Sequence, residues 1–138
     1  MENKETITVS GKRKTSIAKA TIKKGKGSIL INKVPYENLQ NFHFLSLNEP
    51  LEIAKRILNK EKLEFDISVN IHGGGIEGQI ASGRLAIAKA LLKFTGSDEL
   101  KKAFMNYDKN MVVADVRRKE PYKPGDSKAR SKRQSSKR

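Results

Sequence analysis

The chain has 138 residues, 36% of them hydrophobic, and carries 29 Lys and Arg against 15 Asp and Glu, a net charge of +14. This length supports one small globular domain and no second core, and with no cysteine the chain has no disulfide framework, thiol nucleophile or cysteine-ligated zinc site. The opening Met-Glu-Asn-Lys-Glu-Thr lacks the apolar run of a signal peptide, and no stretch approaches the roughly 20 apolar residues of a membrane span, so a cytosolic protein without a membrane partner is expected.

Residues 6–10 alternate weakly, with Ile7 and Val9 to one side, and read as a short strand ended by Gly11. Residues 16–23 and 28–32 are β-prone runs around Lys24-Gly25-Lys26-Gly27, whose glycines can supply the positive φ of a turn; this pattern predicts a β-hairpin. Val34-Pro35-Tyr36 breaks the alternation, and residues 36–44 read as a short helix or irregular turn anchored by Leu39, Phe42 and Phe44. Asn48 is a candidate N-cap with Pro50 in the first turn, and Leu51, Ala54, Ile57 and Leu58 recur at helical spacing, which predicts a helix over 50–59. In residues 65–71, Phe65, Ile67, Val69 and Ile71 face one way and Asp66, Ser68 and Asn70 the other, the pattern of a strand with one wet face.

After Gly73-Gly74-Gly75, residues 76–94 carry Ala81, Leu85, Ala88 and Leu92 at offsets of four, three and four, which predicts the central core helix. Ser97 caps a shorter helix with Asp98 and Glu99 in its first turn and Leu100, Ala103 and Phe104 as its apolar stripe. Residues 111–116 form a last β-prone run. The order predicts an α+β fold, with a sheet on one side and helices on the other.

The charge is unevenly placed. Residues 117–138 hold ten Lys or Arg against Glu120 and Asp126, a net +8, with Tyr122 as their one large apolar side chain. Pro121, Pro124 and Gly125 break any helix, so burial cannot offset the ordering entropy of this segment. The expected division is a globular domain over 1–116 and an extended basic arm over 117–138. A dense row of phosphates is the surface on which closely spaced cations gain most by releasing counterions, so the arm points to nucleic acid. A second cluster, Lys12, Arg13, Lys14, Lys19, Lys23, Lys24 and Lys26, has no acidic residue anywhere between Thr6 and Glu37. It would repel itself unless a polyanion neutralised it, with Lys12 and Arg13 gripping phosphate and Thr15 or Ser16 adding a hydrogen bond.

Other motifs carry less. Gly73-Gly74-Gly75-Ile76-Glu77-Gly78 fits G-x-G-x-x-G between a strand and a helix, but a dinucleotide fold then needs a parallel strand and an acidic residue about twenty positions on, where this chain enters another helix. Gly78 through Gly83-Arg84 is a near miss of the phosphate loop, without its Lys and Ser or Thr. The glycines read as a tight strand-to-helix turn, or as backbone N–H groups offered to a phosphate. His43 and His72 lack a partner constellation, and no acid–base pair or nucleophile elbow is evident. No enzyme and no cofactor is expected.

Gly11-Lys12-Arg13-Lys14-Thr15-Ser16-Ile17-Ala18-Lys19-Ala20 resembles the opening motif of the ninth protein of the small ribosomal subunit, the universal S-nine family. Gly73-Gly74-Gly75, Gly78-Gln79 and Arg84-Leu85-Ala86-Ile87-Ala88-Lys89-Ala90-Leu91 resemble its middle motif. Asp115-Val116-Arg117-Arg118-Lys119-Glu120-Pro121 with Lys123-Pro124-Gly125 resembles the start of its tail, followed by Lys128-Ala129-Arg130 and the terminal Ser136-Lys137-Arg138. The resemblance runs the length of the chain, and Arg118-Lys119-Glu120-Pro121 looks archaeal, although the Tyr common before the last Arg in archaeal and eukaryotic members is missing.

The resemblance implies a ribosomal domain-two-like β-α-β fold with a left-handed crossover, its body bound to rRNA in the head of the small subunit beside neighbouring ribosomal proteins. It implies a ribosomal, cytoplasmic location and no homo-oligomer. Carried over by position, Lys12, Arg13, Lys14, Lys19, Lys24, Lys26, Arg117, Arg118, Lys119, Lys123, Lys128, Arg130, Lys132 and Arg133 would bind rRNA. Lys137 and Arg138 would reach the anticodon stem-loop of the P-site tRNA, and twenty-two extended residues can span about 70 Å. Two other readings of so basic a chain are weaker. A tRNA-processing ribonuclease subunit would need a dense Arg-rich helix, whereas residues 76–94 hold only Arg84, Lys89 and Lys93. A DNA-architectural protein would bind DNA and RNA alike at matched salt, whereas an RNA binder also uses shape and 2′-OH contacts.

Overall fold

The computed structural model describes residues 6–122 and residue 129. Five strands, β1 (Ile7–Arg13), β2 (Ser16–Lys24), β3 (Ile29–Ile31), β4 (Val34–Pro35) and β5 (Phe65–His72), form one sheet in the order β1-β2-β5-β3-β4. Three helices, α1 (Asn41–Leu58), α2 (Ile76–Thr95) and α3 (Asp98–Tyr107), complete the α+β fold. β3 and β5 are adjacent and parallel, so the segment carrying α1 is a β-α-β crossover, and the other pairings are antiparallel.

Strict alternation in β5 does what period two requires. Phe65, Ile67, Val69 and Ile71 are buried while Ser68, Asn70 and His72 are exposed, and β2 buries Ala18, Ala20 and Ile22 on the same side. The helices therefore cover one face of the sheet and leave the other wet. α2 lies against β1 and β2 with no room to spare. A Cβ on Gly11 would stand 2.5 Å from the Ser82 carbonyl oxygen and 2.7 Å from the Ala86 nitrogen. The hydroxyls of Ser16 and Ser82, both fully buried, meet at 2.8 Å across this contact, so neither is left unsatisfied. α2 ends in left-handed Gly96, and Ser97 caps α3 as expected, its Oγ accepting from the Leu100 N–H. Leu100, Phe104 and Met111 close the far side of the core with no exposed surface.

Five local expectations are corrected. The first strand runs through Gly11 to Arg13 and pairs along its whole length with β2, so the tight hairpin is β1–β2, turning at Lys14 with φ 53°. β2 and β3 do not form a hairpin, because β5 lies between them. The turn between them is pinned to β5: one Asp66 carboxylate oxygen accepts from the N–H groups of Lys26, Gly27 and Ser28 at 2.9–3.2 Å. α1 begins at Asn41, so Asn48 is no N-cap, and Pro50 sits in mid-helix. Proline there forfeits one helical hydrogen bond, but Leu47, Pro50, Leu51 and Ala54 are buried together, and that packing decides the outcome. Phe42 is no anchor, being 71% exposed, whereas Phe44 stacks on Tyr36 at 5.1 Å. Residues 111–116 form no strand. Asp108 instead caps a 3-10 turn at Lys109–Met111 that drives Met111 into the core.

Candidate nucleic-acid interface

On the wet face of the sheet, side chains stand in rows set by the register. Lys12, Ile17 and His72 form one row, Ser10, Lys19 and Asn70 the next, and Thr8, Thr21 and Ser68 the third, with Lys23 and Asp66 beyond. Lys12, Lys19 and Lys23 are exposed, and Lys19 and Lys23 are four residues apart on one strand, about 13 Å. Lys14 caps one end of this stripe on the β1–β2 turn, and Lys24 and Lys26 lie at the other, about 26 Å away along β2. The fold therefore spreads the single cluster of the sequence into a cationic stripe along the whole sheet.

Arg13 behaves differently from its neighbours. Its guanidinium is paired at 2.6 Å with Asp115 and is only 20% exposed, so it is held by a carboxylate instead of standing free for phosphate. The same carboxylate takes the Arg117 guanidinium at 2.7 Å and the Arg117 backbone N–H at 2.9 Å, and the Asp115 carbonyl accepts from Arg118. The hydrogen bonds from Arg117, with Arg13 adding its charge, hold the Asp115 carboxyl far below the ordinary carboxylate range. Asp115 thus ties Arg117 and Arg118 to the strand end at the β1–β2 turn and joins at one end of the sheet two basic segments that lie about a hundred positions apart in sequence. The sequence reading left Asp115 without a role. Its signal was its place just ahead of a cationic run, where a carboxylate reduces local repulsion.

Beyond this junction Lys119 stands 4.5 Å above the Tyr122 ring, a cation–π contact that keeps both groups at the surface. Lys123, Lys128, Arg130, Lys132, Arg133, Lys137 and Arg138 lie outside the described residues.

The glycine turn sits beside the same end. Gly73 and Gly74 have φ of 78° and 67°, and a Cβ on Gly73 would meet the Thr15 carbonyl at 2.6 Å, so these glycines serve a tight approach of the turn to the β1–β2 loop. No side chain caps α2 at Gly75, though Glu77 in its first turn opposes an anion there. After α2 the chain enters α3, so the element order is not that of a dinucleotide-binding fold.

Residues 11–138 match the family described as ribosomal protein S9/S16. The chain belongs to that family. Its members are structural, non-enzymatic ribosomal constituents. Over 129 residues, 91% of this chain and 93% of the relative, it is 43% identical to the small ribosomal subunit protein uS9 of Methanococcus maripaludis strain C5. It is 42% identical, with the same coverage, to the small ribosomal subunit protein uS9 of Methanococcus vannielii.

Proposed function

We propose that this chain is a structural constituent of the small ribosomal subunit, in the cytoplasm, and that its sheet face and β1–β2 turn bind rRNA of the subunit head. In this reading residues 1–116 are the rRNA-binding body and residues 117–138 a basic arm, with Lys128, Arg130, Lys132 and Arg133 against rRNA and Lys137 and Arg138 against the P-site tRNA. Lys12, Lys14, Lys19, Lys24, Lys26, Arg118, Lys119 and Lys123 contact phosphates, while Arg13 and Arg117 chiefly set the direction in which the arm leaves the body.

The observation that carries the reading is the Asp115 junction, where the arm's first cations are fixed beside Lys12 and Lys14. One continuous cationic surface then runs from the sheet into the arm, and a row of phosphates is its natural complement. The test is sedimentation of ribosomal subunits before and after a high-salt wash. The protein is expected to stay with the small subunit through the wash, and recovery at the top of the gradient would overturn the reading. Removal of Lys137 and Arg138 is expected to leave assembly intact and weaken P-site tRNA occupancy. Equal loss of both would remove the role given to the tip.

A further inference from the structure

At the end of the helical layer nearest the α1 and α2 N-termini the surface changes character. Phe42, Leu45, Ser46 and Glu49 follow one another at helical spacing on α1. Ser46 and Glu49 line a groove of about 490 Å³, which Ile80 and Arg84 of α2 and Tyr107 at the end of α3 also line. Phe42 is 71% exposed, Leu45 59% and Tyr107 59%, and Ile76, next to the groove-lining Glu77, is 66% exposed. Single exposed apolar side chains are ordinary, whereas several around one groove mark an interaction site.

The charge of this groove runs against that of the chain. Among the described residues Glu49, Glu77 and Asp108 line it against Arg84 alone, and Arg84 is already paired with both Glu49 and Asp108, the latter at 2.8 Å. Burial pushes the Asp108 carboxyl up, but the Arg84 hydrogen bond, the Asn110 N–H and the Arg84 charge together hold it below its ordinary value, so it stays ionised at neutral pH. Among the described residues Glu77 pairs only with His43, 3.4 Å away, and its side chain is 81% exposed. A surface with excess carboxylates repels phosphate, so RNA is the wrong occupant for it.

We infer that this groove is a protein-docking site, and that its occupant is a Lys- or Arg-rich polypeptide segment of a neighbouring subunit protein carrying an apolar residue for the Phe42, Leu45 and Tyr107 rim. The inference deepens the proposed function and rests on it. Apolar side chains supply the buried anchor, and Glu77, the exposed carboxylate, selects a cationic partner and speeds its capture. The body then offers a basic sheet face to RNA and one acidic groove of the helical layer to a basic protein segment.

The experiment is site-specific photocrosslinking in purified small subunits assembled with full-length protein. One version carries p-benzoylphenylalanine at Phe42, a second carries it at Leu45, and a third carries it at Lys12 as the RNA-facing control. Phe42 and Leu45 are expected to crosslink to polypeptide, with the linked peptide rich in Lys or Arg on mass spectrometry, and Lys12 to rRNA. Glu77→Lys in the Phe42 version is expected to lower the protein crosslink roughly five-fold, since it reverses one exposed charge. Crosslinks from both helical positions to rRNA, to residues 123–138 of the same chain, to an acidic or uncharged segment, or to nothing would each overturn the inference while the Lys12 control stands. Loss of the Lys12 crosslink to rRNA would instead strike the proposed function. Should the Phe42 version fail to assemble, the Leu45 version decides.

Discussion

If the wet face holds RNA, removing three charges there must act differently from removing three elsewhere. In the triple variant Lys12→Gln, Lys14→Gln, Lys19→Gln, all three side chains are exposed and none belongs to an ion pair among the described residues. A matched triple, Lys93→Gln, Lys101→Gln, Lys102→Gln, removes the same charge from exposed positions on α2 and α3. Each phosphate contact contributes about 0.7–0.9 to the slope of log K against log salt. Three contacts are therefore worth about 2–3 units of slope. Extrapolated from 1 M to 0.1 M salt, that is roughly a hundred- to five-hundred-fold in affinity, or about 3–4 kcal/mol. The assay is filter binding to a purified head fragment of small-subunit rRNA across a salt series, with thermal melts of both variants. Melting temperatures are expected to move little, because exposed substitutions cost about 0.5 kcal/mol or less each. The sheet triple is expected to flatten the slope and the helix triple to leave it nearly unchanged. Equal flattening by both would mean that net charge alone acts, and the assignment of RNA to the sheet face would fall.

Gly11→Ala tests the contact between α2 and β1. The added methyl group meets helix backbone at 2.5–2.7 Å, and relief by displacing α2 is expected to cost about 1–3 kcal/mol, read as a fall of several degrees in melting temperature; an unchanged melt would show that α2 is loosely seated. Phe104→Ala empties a fully buried site and is expected to cost about 3–5 kcal/mol by urea unfolding, whereas a cost below about 1 kcal/mol would remove Phe104 from the core. Acid should destabilise the fold through Asp66, whose carboxyl is held low chiefly by the Ser28 N–H and then by those of Lys26 and Gly27. A depressed carboxyl contributes stability that is complete above its unfolded pKa of about 4 and lost as pH falls through the lower folded value. Asp66→Asn should therefore be less stable than the parent at pH 6 and approach it near pH 3, and a constant difference in melting temperature across that range would exclude the carboxylate as the cause.

The elements most legible in the sequence were those whose own pattern dictates burial. The alternation of Phe65, Ile67, Val69 and Ile71 placed β5, the apolar stripe through Leu85 and Leu92 placed α2, and Ser97 with Asp98 and Glu99 placed the start of α3. The readings that needed correction weighed a local signal against a distant one that sequence does not display. Asn48 and Pro50 look like a helix start, but Leu47 buried under the helical layer carries the helix back to Asn41. Gly25 and Gly27 look like a hairpin turn, but Asp66, about forty positions away, pins that turn to β5.

For the site the division is the same. Composition and spacing alone determined that this is a cysteine-free, strongly basic chain with two cationic segments, because charge density and apolar period are properties of neighbouring residues. Tertiary structure alone decided that β5 separates β2 from β3, that Lys12, Lys19 and Lys23 share one wet face, that Asp115 brings Arg13 and Arg117 together, and that carboxylates and apolar side chains gather on the helical layer near the start of α2. Strand order and long-range ion pairs follow from which surfaces can be buried together, and that is a property of the folded whole.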